Sequence, residues 1–193
     1  FELADARKIA SQCQLPLTII EADILRYPEV AANPPDRCYY CKRRVFSAIL
    51  HQAAADGYAL VIDGTNASDD AGDRPGMKAL QEMQVLSPLR LCGLTKQDIR
   101  EKSKEAGLFT WDKPSYACLA TRFPAGVQIT EEGLKKVEQA ESALFDLGFT
   151  DFRVRVYHGA ARIQLPKAQM ERGLAMRQEI LDKLRPLFEG VFL

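Results

Sequence analysis

Along the first fourteen residues the apolar positions Leu3, Ala6, Ile9 and Ala10 recur at helical spacing, predicting an amphipathic helix already under way at Phe1 with no capping signal before it. Leu17 to Ile20 is a short unbroken apolar run, the pattern of a parallel strand buried on both faces. Asn33-Pro34-Pro35-Asp36 is a loop ending in a candidate helix N-cap, and Cys38-Tyr39-Tyr40-Cys41 opens a helix that runs to Asp56-Gly57 with Val45, Ile49 and Leu50 toward a core. Ala59 to Ile62 reads as a second buried strand broken at Asp63-Gly64. A short helix over Lys78 to Met83, a candidate strand at Val85-Leu86 and a helix opened by Thr95-Lys96-Gln97-Asp98 and closed near Gly107 complete an alternating α/β pattern.

The rhythm changes after Trp111. Lys113 to Gly126 is a loop, and Thr130 starts a long amphipathic helix closed by Gly148. Phe152 to Val156 alternates apolar and polar, turns at His158-Gly159 and returns as Ala161 to Leu165, a hairpin of period two. One last helix is predicted over Lys167 to Leu184, and Val191-Phe192-Leu193 reads as a strand just beginning, so further sequence is expected at both ends. The expectation is a parallel-sheet α/β domain over residues 1–112 and a smaller α+β domain over 113–193, with no internal repeat.

Composition narrows the function. Lysine plus arginine and aspartate plus glutamate each number 26, so neither a basic field for nucleic acid nor an acidic tail is present, and a small-molecule partner is expected. No apolar run approaches the ~20 residues needed to cross a bilayer. Five cysteines, an odd number without a secretory signal, fit reduced or metal-bound thiols in a cytoplasmic protein better than a disulfide framework.

Three thiols stand apart from the others. Cys38 and Cys41 form a C-x-x-C at a predicted helix start beside Arg37, Lys42, Arg43 and Arg44, where helix dipole and cations favour thiolate. Cys118 lies in a loop with Arg122 four residues on and Lys113 five back, a setting for a reactive thiol or metal ligand rather than a core cysteine. Two sulfurs from one turn of backbone and a third from a loop can hold three sides of a metal or iron-sulfur site. Cys13 and Cys92 are most simply packing residues, and His51 and His158 a helix-surface and a turn residue. Asp63 to Asp70 follows a predicted parallel strand, where α/β sheets bind ligands, but reads equally as an ordinary strand-to-helix turn. Arg74 stands on the stiff turn Arg74-Pro75-Gly76, and Arg122, Arg153 and Arg155 carry forked donors suited to phosphate or carboxylate.

The runs Asn33-Pro34-Pro35-Asp36-Arg37-Cys38-Tyr39-Tyr40-Cys41-Lys42, Asp63-Gly64-Thr65-Asn66, Arg74-Pro75-Gly76, Ser87-Pro88-Leu89, Gly93-Leu94-Thr95-Lys96, Lys113-Pro114-Ser115 and Ala117 to Pro124 occur together and in this order. In this the chain resembles the LarE family, ATP-dependent sulfur transferases also described as ExsB-like or PP-loop ATP pyrophosphatases. The resemblance implies a PP-loop ATP pyrophosphatase domain, of the adenine nucleotide alpha hydrolase kind, followed by a smaller domain. It implies adenylation of a carboxylate of a pyridinium dicarboxylate mononucleotide with ATP and Mg2+, then replacement of the activated oxygen by sulfur, on the route to the nickel-pincer nucleotide cofactor.

By the same matching, Cys118 and Arg122 are the catalytic residues, and Asp63, Gly64, Thr65, Asn66, Arg74 and Lys96 belong to the nucleotide. Thr121, Arg122, Arg153 and Arg155 lie near substrate phosphate or carboxylate. In members with one functional cysteine the residue matching Cys118 gives up its own sulfur; those with the C-x-x-C hold a 4Fe-4S cluster on three cysteines, here Cys38, Cys41 and Cys118, and take sulfide or another sulfur donor. A homo-oligomer is expected. The family's Ser-Gly-Gly-x-Asp-Ser phosphate loop is not found in these residues, so the chain as given is not expected to turn over ATP, and Gln164 stands where many members carry an acidic residue. A tRNA-thiolating PP-loop enzyme and a non-enzymatic zinc or iron-sulfur module are the other readings, the first opposed by the neutral charge.

Overall fold

The computed structural model describes residues 2–69, 75–114 and 116–193. The chain divides into two compact units, one of Phe1–Ile24 and Cys38–Lys113, the other of Leu25–Arg37 and Pro114–Leu193. The stretch between Ile24 and Cys38 thus belongs with the C-terminal residues, an arrangement that a single boundary near residue 112 cannot express.

The first unit contains α1 (Glu2–Gln12), nearly all of α3 (Arg37–Ala55), α4 (Pro75–Glu82), α5 (Pro88–Leu91) and α6 (Lys96–Glu105). Thr95 caps α6 as its spacing predicts: its hydroxyl accepts from the Asp98 backbone N–H while the Asp98 carboxylate accepts from the Thr95 N–H. The residues after α6 return to α1, where Lys8 lies 4.0 Å from the centre of the Phe109 ring and Lys113 pairs with Asp5.

The expected parallel layer is reduced here to one bridge, Ile62 beside Leu86, in which the Leu86 N–H donates to Val61 O and the Asp63 N–H to Leu86 O. Leu17 to Ile20 forms no strand, and Leu60 and Ile62 are 58% and 60% exposed. These runs have the composition of strands buried on both faces, but such a strand is buried only when neighbours complete its ladder and helices cover it. Among the described residues the bridge is all the pairing they receive. For the same reason Val45, Ile49 and Leu50 on α3 are half-buried rather than core; among the described residues the buried apolar side chains of this unit are Ala79, Leu80 and Val85.

The second unit holds α2 (Pro28–Ala31), a 3-10 turn over Leu119–Arg122, α7 (Glu131–Asp146), β1 (Arg153–Tyr157), β2 (Ala160–Gln164), α8 (Met170–Ala175), α9 (Arg177–Leu184) and β3 (Val191–Phe192). The hairpin forms in the predicted place, with Arg153 opposite Gln164 and Tyr157 opposite Ala160. His158 and Gly159 both take positive φ, 47° and 78°, the two-residue turn whose twist matches the strands it joins. β3 then adds to β2 in parallel, giving the order β1-β2-β3.

Val137, Ala140 and Leu144 of α7 pack with Phe149, Phe152, Val154, Ile163, Ile180 and Leu184 in one apolar core. The single final helix expected over Lys167 to Leu184 is instead a 3-10 turn followed by α8 and α9, broken at Met176. Gly173 lies against Leu165, where a Cβ would come within 2.5 Å of Leu165 Cδ1. The glycine that permits this approach also weakens the helix around it.

Candidate functional site

In the first unit the site residues gather at the end of the Ile62 bridge. The Asp63 carboxylate accepts from the Ser87 hydroxyl at 2.6 Å, the Thr65 hydroxyl at 2.5 Å and the Thr65 N–H at 3.2 Å. Partial burial acts to raise the Asp63 carboxyl, but the hydrogen bonds from Ser87 and Thr65, helped by the Lys42 ammonium, outweigh it and hold the group below its ordinary value. Asp63 is therefore an anion at a strand end. Being lower in the folded chain than in the unfolded one, its pKa contributes stability that is full above the ordinary carboxylate range and lost as pH falls through the folded value. Asp63→Asn is expected to be less stable than the native protein at neutral pH, with the gap closing as the solution is acidified below that range. A gap in urea midpoints that stayed constant down to low pH would show that the charge is not what matters.

The loop beyond is self-bonded. Asn66 Nδ2 and its backbone N–H both donate to Asp69 Oδ2, the Ser68 N–H donates to Asn66 Oδ1, and the Ala67 N–H to Leu94 O. Arg90 reaches the carbonyls of Asn66 and Asp69, and the Lys96 N–H donates to Ser68 Oγ, which places Lys96 in the first turn of α6 beside this loop. Asp63, Thr65, Asn66 and Lys96 thus come together, and Gly64 has no atom within 4 Å of where a Cβ would stand. Arg74 lies outside the described residues. Two participants were missed from the sequence: Ser87, whose position beside Pro88 at a strand end was the available signal, and Lys42. The Lys42 stem lies over Gly76 of α4, where a Cβ would meet Lys42 Cδ at 3.0 Å.

Cys38 and Cys41 are the second and fifth residues of α3, one turn apart on one face, Cys38 exposed and Cys41 half-buried. Tyr39 between them donates its hydroxyl to Glu82 at 2.6 Å and so ties α3 to α4. All five cysteines are thiols. Cys13 and Cys92, expected as packing residues, are exposed: each directly follows the last residue of a helix, α1 and α5, that buries none of its own side chains.

Cys118, in the second unit, is exposed and immediately precedes the 3-10 turn. The turn is shaped by Thr121, whose N–H and hydroxyl both donate to Cys118 O, at 2.9 and 2.7 Å. Arg155 crosses from β1 to donate to Thr121 O at 2.8 Å and to Gln164 Oε1 at 2.6 Å, its diagonal neighbour on the same face of the hairpin. Arg153, two residues earlier on that face, donates to Phe152 O and lies 3.7 Å from Asp151.

Arg122 turns inward and is 1% exposed. Its Nε and Nη2 donate to the two carboxylate oxygens of Glu141, at 2.6 and 3.1 Å, and its Nη1 donates to Thr121 Oγ1. Glu141 also accepts the Val154 N–H at 2.9 Å. A forked arginine on a buried carboxylate anchors α7, the cysteine turn and the edge of β1 together. Arg122 thus holds the turn in place, a role the sequence did not suggest.

Thr121, Arg122, Arg153 and Arg155 are brought around the Cys118 turn within the second unit, while Cys38 and Cys41 belong to the first. Among the described residues no three His, Cys, Asp or Glu side chains gather as a metal-holding group. No described helix is long and apolar enough to cross a membrane.

No family model matches the chain. It is 34% identical over 165 residues to a protein of Lactiplantibacillus plantarum named pyridinium-3,5-bisthiocarboxylic acid mononucleotide synthase, covering 86% of this chain and 60% of that protein. It is 39% identical to an uncharacterised protein of Synechocystis over 88% of this chain and 63% of that one. An uncharacterised protein of Methanocaldococcus jannaschii is 32% identical over 84% of this chain and 63% of its own length. The chain thus spans about three fifths of the length of the curated relatives it matches.

Proposed function

We propose that the protein is an ATP-dependent sulfur transferase of the LarE family, inserting sulfur into a carboxylate of a pyridinium dicarboxylate mononucleotide on the route to the nickel-pincer nucleotide cofactor. The observation that carries this reading is the Cys118 turn, an exposed cysteine whose backbone carbonyl is held by Thr121, itself braced by Arg122 and Arg155. The similarity to a named bisthiocarboxylic acid mononucleotide synthase, which runs through 86% of the chain, supports it.

A carboxylate is a poor electrophile until a leaving group is attached to it. In the proposed sequence a substrate carboxylate oxygen attacks the α-phosphorus of ATP and pyrophosphate departs. A sulfur nucleophile carried at Cys118 then attacks the acyl carbon and AMP departs. Asp63, Gly64, Thr65, Asn66, Arg74 and Lys96 are assigned to ATP and its Mg2+, and the ionised Asp63 at a strand end suits that task. Thr121, Arg153 and Arg155 are assigned to the anionic groups of the mononucleotide, with Arg122 keeping the turn in register.

Three thiols, two of them one helical turn apart, are the right donors for a 4Fe-4S cluster, so Cys38, Cys41 and Cys118 are the residues that would hold it. Bound there, it would supply a site for taking up exogenous sulfide. The same reading places the protein in the cytoplasm as a homo-oligomer. Its test is the complete protein, carrying the phosphate loop that these residues do not include, supplied with ATP, Mg2+, sulfide and the pyridinium dicarboxylate mononucleotide. Pyrophosphate release that depends on the mononucleotide, and a product in which one oxygen is exchanged for sulfur, are expected. Pyrophosphate release indifferent to the mononucleotide, or a product without sulfur, would overturn the reading.

A further inference from the structure

The outward face of the hairpin carries a pairing that strand chemistry disfavours. Val154, Ala161 and Ile163 turn into the core, which leaves Arg153, Arg155 and Tyr157 of β1 on the opposite face with Arg162 and Gln164 of β2. In this register Arg155 stands directly across from Arg162. Residues so placed have Cβ atoms about 4.5–5.5 Å apart, and like charges there destabilise the pair. The two side chains lean away from each other. Arg155 donates to Gln164 Oε1 and Thr121 O, whereas the exposed Arg162 holds its guanidinium 5.6 Å from the centre of the Tyr157 ring. An amide, a backbone carbonyl and an aromatic ring carry no net charge. Among the described residues neither arginine is paired with a carboxylate, so two positive charges remain uncompensated on one face.

Edge protection does not account for Arg162. A cation on an outer strand discourages pairing with another chain, but β2 is the middle strand of the order β1-β2-β3. Nor does stability account for it, since an acidic or β-branched residue at this position would suit the hairpin better. Two guanidiniums side by side offer forked donors to a single anion. A phosphomonoester, with a charge of about −1.5 to −2 near neutral pH, matches them better than a lone carboxylate does. Arg155 is bonded to the Cys118 turn through Thr121 O, so an anion held on this pair lies beside that turn. All of these groups belong to the second unit.

We propose that Arg162 is a specificity-determining residue of the substrate site: with Arg155 across the hairpin it clamps a phosphomonoester dianion, and so selects a mononucleotide over the nucleoside that lacks the phosphate. The proposal rests on the reading that a pyridinium dicarboxylate mononucleotide is the substrate. It adds which of the ligand's anionic groups lies on the arginine pair, and leaves Arg153 for a carboxylate.

Calorimetric binding to the complete protein, without ATP or sulfide, tests this with two ligands: the pyridinium dicarboxylate mononucleotide, and the riboside left when alkaline phosphatase removes its phosphate. The native protein is expected to hold the mononucleotide at least about tenfold more tightly than the riboside, the scale of charge-assisted hydrogen bonds. Arg162→Gln should lose most of that preference and bind the riboside as before. Arg162→Glu, which sets a carboxylate opposite Arg155, should bind the mononucleotide no better than the riboside, yet be at least as stable as the native protein in urea. A merely structural role would instead lower stability and the affinity for both ligands together. A preference that survives in Arg162→Gln, a fall for both ligands alike, or equal affinities in the native protein overturns the role of Arg162 and leaves the proposed reaction standing. Failure of the native protein to bind either ligand overturns the substrate assignment, and this inference with it.

Discussion

Cys118→Ala is expected to lose sulfur transfer altogether, by at least ~10³-fold, the scale on which removal of a covalent nucleophile is felt. The fate of Cys118 in the native protein then separates two chemistries. If the thiol surrenders its own sulfur, the Cβ–S bond breaks as the Cα hydrogen leaves as a proton, and Cys118 becomes dehydroalanine. Product is then capped at one per polypeptide, and Cys38→Ala or Cys41→Ala changes nothing. If the three cysteines share a cluster, the protein given excess sulfide makes more than one product per chain with Cys118 intact. Either pair substitution then removes the iron and ends repeated turnover, because two thiolates do not replace three-point ligation. Intact-mass measurement after reaction, beside iron content and product count, decides between them. Persistence of full activity in Cys118→Ala would remove the thiol from the mechanism.

Glu141→Ala carries the largest expected effect on stability. It leaves the Arg122 guanidinium charged and buried without its carboxylate, and it also deprives the Val154 N–H of its acceptor. Breaking one side of a buried pair costs about 3–5 kcal/mol, a large share of the ~5–15 kcal/mol that holds a domain together. Replacing both members by apolar residues, Arg122→Met with Glu141→Leu, should recover much of that loss, since no charge is then stranded. The double variant should nevertheless show a displaced Cys118 turn, visible as altered thiol alkylation, because Nη1 no longer holds Thr121. Urea unfolding of the three proteins measures the first effect. A loss below about 1 kcal/mol in Glu141→Ala would mean that the ion pair is relieved by water.

What the sequence disclosed and what it withheld divide along physical lines. The capping box at Thr95, the glycine closing α7 and the His158-Gly159 hairpin were legible because each is set by neighbours a few positions away. The burial of Arg122 was not, because its partner Glu141 sits nineteen residues on, in a helix face that otherwise reads as ordinary amphipathic pattern. Leu17 to Ile20 and Ala59 to Ile62 have strand composition, yet pairing is a property of neighbours and not of the run itself, so composition forecast a ladder of which one bridge is present among the described residues. The cysteine turn was found through its thiol and its arginines, but the bracing role of Thr121 needed the backbone bend that lets one residue donate twice to Cys118 O. Asn33 looked like loop punctuation before two prolines. Its long-range bonds to Pro124 and Gly126 leave no trace in local pattern.

The chain passes from one unit to the other three times, after Ile24, after Arg37 and after Lys113. Cutting at Lys113 would not release an intact C-terminal module: Val30 and Ala31, both buried, would stay behind, and Gly126 and Ile129 would lose the carbonyls that receive their N–H groups. The second unit is therefore no cassette that gene fusion could append to another protein by joining ends. On the ribosome its thirteen-residue early piece, Leu25–Arg37, leaves the tunnel long before the residues that complete it, and must wait through the whole of Cys38–Lys113 for its partner.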